Sequence, residues 1–282
     1  MVNKYTPELT KKVIKSDIGN YMGLQPARYI LSKAVRSIRR ATYTPVKKSE
    51  KNDENIVSGL LKNGYVTIEN FFEEEVRLKI LNEFNKVVDE KMGEDLSIED
   101  GGTVVRRRGL SIDDIKEGGL SSVIKLVDNS YIWSSLSKVH GSEFKNENST
   151  FWFDVIENGE DSCSVNNRHT DVFFDTYKIW YFLDEVKPED GPLVYCPTTQ
   201  KFSLWRVGFE YSGSLPKNGA ITQPWDLSDD RLEKLKLKEK AFTVPANTLV
   251  IVNTHGFHRR GDASPGSKRR QIHFSARGTA FG

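Results

Sequence analysis

Cysteine is nearly absent from this chain: Cys163 and Cys196 are its only two in 282 residues. Two thiols give no disulfide framework, and neither stands in the C-x-x-C spacing of a zinc site, so both are read as free. Long apolar runs are missing as well. No stretch approaches the roughly 18 apolar residues of a membrane span, and Met1-Val2-Asn3-Lys4-Tyr5 leads into no apolar signal-type segment. The expected compartment is the cytoplasm, with no integral membrane segment. Net charge is small, +2. Histidine is scarce: His140, His169, His255, His258 and His273 are the whole supply, which limits any imidazole-based metal site to five candidates. No internal repeat or low-complexity tract is visible.

What is present is the composition of an ordinary globular protein, 37% hydrophobic, 11% aromatic and 28% charged, long enough to bury a sizeable core. The charge is uneven. Residues 1–50 hold eleven Lys/Arg against three Asp/Glu, net +8, leaving the rest at −6. Residues 1–55 read as a basic helical arm and linker. Helical spacing runs over 8–15 and again over 27–41, where Ile30, Leu31, Ala34, Val35 and Ile38 oppose Arg28, Lys33, Arg36, Arg39 and Arg40. Such a helix either packs on the main domain with its charges in water or meets an anionic membrane surface or acidic partner.

Residues 64–71 alternate as a strand and 73–91 carry helical periodicity. A loop opened by Gly101-Gly102 holds Arg106, Arg107 and Arg108; in a cleft these would suit an anionic substrate, with Arg106 and Arg108 the substrate candidates. One or two helices follow over 111–139. Strands are expected at 150–157, 172–183, 192–196, 240–244, 247–252 and 269–275. Residues 201–240 form a polar insertion of the kind that serves as a lid; it contains Trp205 and Arg206, candidate substrate contacts, and a helix over 230–240.

The chemistry gathers at Arg168-His169-Thr170-Asp171. Side chains two apart on an extended strand share a side, so His169 and Asp171 offer an imidazole and a carboxylate to one point. The apolar run Thr248–Val252 delivers two more histidines, His255 and His258. Two imidazoles and one carboxylate form the facial site of non-haem iron, with His169, Asp171 and His258 as ligands; His255 is the competing third ligand and zinc the competing metal. Arg269, eleven residues past His258, could aim its guanidinium fork at a carboxylate. A one-residue slip would put Arg270 in that place. Lys178 either points into the interior toward a carboxylate or lies on the surface. His273 either shares the interior with Arg269 or is buried and hydrogen-bonded, and His140 is read as a surface residue.

His169-Thr170-Asp171, the stretch from Lys178 through Asp190-Gly191-Pro192 to Pro197, and the run 247–277 together resemble the phytanoyl-CoA dioxygenase-like branch of the iron(II)- and 2-oxoglutarate-dependent dioxygenases. The match covers most of 150–280, and Gly64–Phe71 resembles the family's opening strand. It departs at Pro197-Thr198-Thr199-Gln200, where the family has Pro-Gly-Ser-His. The resemblance implies a mainly β fold with flanking helices, a double-stranded β-helix (jelly roll, cupin-like), formed by a single domain at 56–282. It implies Fe(II) held by His169, Asp171 and His258, with 2-oxoglutarate and O2 as co-substrates and Arg269 on the distal carboxylate of the keto acid. The retained Asp171 implies hydroxylation of a C–H bond in a small or medium-sized metabolite, since halogenating relatives replace that carboxylate. The expected partner is thus a small-molecule substrate and not nucleic acid. Two other classes fit the bare ligand set: a cupin-like isomerase or hydrolase using another metal, and a non-catalytic binding module.

Overall fold

The computed structural model of the chain describes residues 24–44, 53–91, 96–98, 103–147, 149–159, 167–214 and 226–281. The helical pattern at 8–15, most of the linker, Cys163 and the middle of the 201–240 insertion lie outside them. Helices α1 (Gln25–Thr42) and α2 (Asp53–Lys62) precede strand β1 (Tyr65–Ile68), which feeds helix α3 (Glu74–Lys91). Strands β2 (Leu96–Ile98) and β3 (Val104–Leu110) follow. The three adjacent arginines therefore stand on a strand, not in a loop. Pairing along its whole length with β4 (Phe151–Glu157) outweighs the Gly101-Gly102 signal that made it look like a loop.

Between β3 and β4 come three short helices, α4 (Ile112–Glu117), α5 (Ser121–Val127) and α6 (Ser130–His140). Their ends are set locally. Ser111 and Asp114 form a reciprocal capping box on α4, satisfying donors that a helix start leaves open, and Gly141 closes α6 in the left-handed region that glycine enters without steric cost. The remaining strands are β5 (Thr176–Phe182), β6 (Leu193–Tyr195), β7 (Lys240–Ala241), β8 (Thr248–Asn253), β9 (His258–Arg260) and β10 (Lys268–Arg277). The insertion carries helices α7 (Leu204–Ser214) and α8 (Asp229–Lys234), the second shorter than its spacing suggests.

Seven strands form one sheet in the order β1-β8-β5-β10-β4-β3-β2, and β7-β6-β9 form a second, all pairs antiparallel. This is a double-stranded β-helix with helices on one face of the larger sheet. Period-two alternation decides what each face carries. Phe153, Ile272, Tyr181 and Leu249 stand in register across four strands and bury against the helices. The other face, toward the smaller sheet, bears Phe182, Val250 and Val252 at one side and a row of polar and aromatic side chains at the other. Full burial of one such Phe or Leu contributes about 1.5–3 kcal/mol, so this alternation fixes the register firmly.

Helix α1 packs on the domain in the opposite sense to its composition. Gln25, Tyr29, Ser32 and Arg36 are its buried residues, while Leu24, Ile30, Leu31 and Ile38 are exposed. Lys33, Arg36 and Arg40 face inward because each finds a partner. Lys33 Nζ lies 2.5 Å from Asp175 Oδ1 and donates to Gln200 O at 2.8 Å. Arg36 donates to the carbonyls of His140 and Thr279, and Arg40 Nε to Val139 O. His140 is correspondingly fully buried and not a surface residue; its Nδ1 meets Ser142 Oγ at 2.6 Å and its ring packs on Phe144.

Candidate metal centre

His169 and His258 face each other across an isolated antiparallel bridge: each backbone N–H donates to the other's carbonyl at 2.9 Å. Their ring centroids are 4.6 Å apart. In both residues Nδ1 is turned back to a carbonyl two positions upstream, Asn167 O at 2.8 Å for His169 and Gly256 O at 3.1 Å for His258. A carbonyl only accepts, so Nδ1 carries a proton in each ring, and in the neutral imidazole it is then Nε2 that holds the lone pair. That is the orientation and tautomer that a metal-ligating histidine needs. Asp171, whose N–H donates to Thr254 O at 3.2 Å, completes the cluster. Ligand atoms from His169, Asp171 and His258 all lie within 4.8 Å of one another.

The carboxylate of Asp171 divides its oxygens. Oδ1 lies 3.7 Å from His258 Nε2, and Oδ2 forms an ion pair with Lys178 Nζ at 2.9 Å. Burial acts to raise the Asp171 carboxyl, but the charges of His258 and Lys178 outweigh it and hold it at about 2. Burial also drives the His258 imidazole down to about 4, with Asp171 opposing. Both groups thus sit in the protonation state of a ligand near neutral pH.

His255 is directed elsewhere. It is fully buried, its Nδ1 3.3 Å from Gln200 O and 3.8 Å from Asp175 Oδ1. The turn that separates it from His258 passes through Gly256, where a Cβ would collide with the Tyr195 side chain. Tyr195 Oη donates to Asn253 O at 3.0 Å, so tyrosine and turn pack as one unit.

Arg269 stands on the inner face of β10, buried, with Nη1 donating to Gly191 O and its guanidinium 5.9 Å from the centre of the Phe182 ring. Arg270 points to the opposite face, where Asp184 accepts two bonds at 2.7 Å and Asn85 a third at 2.9 Å. Lys178 and His273 share the inner face with Arg269, as cross-strand register requires.

That wall also holds groups other than the three candidate ligands, Lys178 and Arg269. Asp154, fully buried, accepts from Arg107 at 2.8 and 3.2 Å and from Gln271 at 3.1 Å, and lies 2.9 Å from His273 Nδ1. Despite burial, His273 and Arg107 hold its carboxyl well below the usual range. Beside it Trp152, His273 and Trp180 stand in a row on β4, β10 and β5, successive centroids 6.4 Å apart and planes within 22°. Arg107 lies 5.6 Å from the Trp152 ring. The signal for Trp152 and Asp154 was their shared parity on β4; Arg107 was hidden by the loop reading of β3.

Other candidates fall away from the cluster. Arg106 lies 3.6 Å from Glu157, and Arg108 lines a separate cavity of about 390 Å³ with Lys86, Asp114 and Glu117; alternation puts both on the face opposite Arg107. Arg206 is fully buried, paired with Glu210 at 2.9 Å and donating to His255 O at 3.2 Å. Trp205 stacks on Phe257, next in the chain to His258. Cys196 is a buried free thiol. No helix among the described residues is long and apolar enough to cross a membrane.

No protein-family model matches this chain, and no curated protein matches it in sequence. Solved structures resemble it in fold. The epimerase SnoN in complex with Fe3+, alpha-ketoglutarate and nogalamycin RO superposes with a TM-score of 0.55 at 16% identity, covering 79% of this chain and 82% of that one. The non-haem alpha-ketoglutarate-dependent carbocyclase SnoK from nogalamycin biosynthesis gives 0.53 at 16%, covering 83% and 85%. EctD from S. alaskensis with bound Fe gives 0.54 at 14%, covering 83% and 81%. At these identities the likeness is one of fold, and the fold is the jelly roll built above.

Proposed function

We propose that the protein is an iron(II)- and 2-oxoglutarate-dependent oxygenase that hydroxylates a C–H bond of a small or medium-sized molecule. The observation that carries this reading is the cluster of His169, Asp171 and His258 with both Nδ1 atoms tied back, so that two lone pairs and one carboxylate converge. Three ligands on one side leave the rest of an octahedron open, which suits non-haem iron more than a closed structural zinc site. Solved relatives in fold that hold Fe, one of them with alpha-ketoglutarate, support the same choice.

Bound iron(II) would supply the open positions and electrons that couple oxidative decarboxylation of 2-oxoglutarate by O2, giving succinate and carbon dioxide, to insertion of one oxygen atom into a C–H bond. The chain's own residues do the rest. His169 and His258 present neutral Nε2 atoms, and Lys178 fixes the second oxygen of Asp171 so that the first faces the metal. Arg269, on the same wall and desolvated, offers a fork to the distal carboxylate of the keto acid. Phe182, Val250 and Val252 keep water from that side of the barrel. The row Trp152, His273 and Trp180 forms the wall next to which the substrate would lie. Oxygen uptake tests this: it should require both iron(II) and 2-oxoglutarate and vanish in His169→Ala. Uptake that ignores 2-oxoglutarate would refute it.

A further inference from the structure

The outward face of α1 carries a pattern that its packing on the domain does not use. Leu24, Ala27, Leu31, Ala34, Ile38 and Ala41 are all exposed, and their spacing of three, four, three, four and three residues is the a/d repeat of a helix that pairs with another helix. Leu31 is 49% and Ile38 65% exposed. Polar residues normally occupy the solvent face of a surface helix. Here Lys33, Arg36 and Arg40 are bonded into the domain instead.

We infer that this face of α1 pairs with the same face of a second copy of the chain, as an antiparallel two-fold helix pair. The face is complementary to itself. In an antiparallel pair centred between residues 32 and 33, Leu24 falls opposite Ala41, Leu31 opposite Ala34, and Ile38 opposite Ala27. Every bulky side chain meets an alanine, which lets the two backbones approach closely. The flanking positions agree: Arg28 falls opposite Ser37 and Ile30 opposite Val35, so no like charges face each other across the seam. A two-fold contact uses one patch on both copies, so the patch must complement itself, and this one does. An anionic lipid surface fits less well, because it requires a basic rim around the apolar stripe and the bases Lys33, Arg36 and Arg40 are turned inward.

Other exposed apolar side chains lie on the neighbouring helix. Of the eight exposed large hydrophobic residues among those described, Leu24, Ile30, Leu31 and Ile38 lie on or at the start of α1, and Phe202, Leu204 and Tyr211 lie on or just before α7. Helix α7 packs directly on α1: Gln25 Nε2 donates to Glu210 Oε2 at 3.0 Å, and Phe202 stacks on Tyr29. An 18-residue helix is about 27 Å long, and a pair of them alone falls short of the roughly 1,200 Å² of a stable interface. The inferred dimer is therefore a weak one, populated at tens of micromolar.

Sedimentation equilibrium of the full chain at tens of micromolar tests the inference. The expected species has about twice the 32.1 kDa chain mass. Ala34→Arg, which puts a charge opposite Leu31, should shift the population to monomer with an unchanged circular-dichroism melt. The antiparallel register has its own test, independent of that variant's folding. L24C/A41C should form a covalent dimer on oxidation, while L24C alone should not, because in this pairing the two copies of residue 24 lie about 25 Å apart. A parent that stays monomeric overturns the inference, whether or not anionic vesicles capture it. So does a dimer that survives Ala34→Arg, or one that L24C alone cross-links as well as the double variant.

Discussion

Arg168 and Arg259 are gripped by one carboxylate, that of Glu239: Arg168 reaches it at 2.7 and 2.9 Å and Arg259 at 2.9 and 3.3 Å. These arginines are the chain neighbours of His169 and His258, so the Glu239 clamp and the backbone bridge between the histidines hold the segment around His169 against β9. Arg168 also reaches Asp229 on α8, which joins the insertion to the segment carrying His169. Although burial acts to raise the Glu239 carboxyl, bonds from the two arginines keep it ionised, at about 2. Glu239→Gln should weaken iron(II) or manganese(II) binding about tenfold, within the range for groups that orient metal ligands. A metal titration checks this, and unchanged affinity would show that the histidines hold their positions without the clamp.

Arg269 and Arg270 make a matched pair of tests, since adjacent strand residues serve opposite faces. Arg269→Ala should raise KM for 2-oxoglutarate by about 100-fold through loss of a charge-assisted bidentate contact, leaving metal affinity unchanged. Arg270→Ala breaks its contacts to Asp184 and Asn85 and should leave KM alone while lowering stability by about 1 kcal/mol. If the two effects were exchanged, the inner face would be misassigned.

Lys33 neutralises Asp175, a buried carboxylate that also accepts from Asn253 at 3.0 Å. Removing the cation strands the charge in a dry site, so Lys33→Met should cost about 3 kcal/mol. Urea denaturation would measure it; a loss below about 1 kcal/mol would mean that Asn253 alone suffices.

Acid should act through His140. Burial first, and then the charge of Arg36, push this imidazole down to about 3 from an ordinary value near 6.5. As pH falls the unfolded chain takes up this proton before the folded one. The contribution is complete above about 6.5 and is lost progressively down to about 3, amounting to about 2 kcal/mol lost by pH 5. Burial also lowers His255 and His258, so His140→Asn should reduce, without abolishing, the slope of the stability profile between pH 6.5 and 5, where carboxylates contribute little. An unchanged slope would assign the acid sensitivity to other groups.

The strands were legible from alternating or apolar runs: β1, β4 and β5 fall within the ranges read from the sequence, while β8 and β10 overlap theirs and run one and three residues further. β3 was not, because its pairing with β4 is non-local and three arginines mask its parity. The inward packing of α1 was equally hidden. Periodicity puts its apolar stripe toward the core, and only the distant partners Asp175, His140 and Thr279 reverse that. At the site, His169 and Asp171 were legible from two-residue spacing and His258 from a resemblance. Lys178 against Asp171 and the group around Asp154 required the register of three strands. His255 and His258 could not be separated by composition; the turn at Gly256 separates them.

The central claim is that His169, Asp171 and His258 hold iron(II) in a form that a keto acid can chelate. Anaerobic absorption spectroscopy tests it most directly. Iron(II) and 2-oxoglutarate added together should produce a visible charge-transfer band that neither gives alone, and Asp171→Ala and His258→Ala should abolish it. Absence of the band in the parent protein at saturating iron(II) and 2-oxoglutarate, or its persistence in those two variants, would contradict the account.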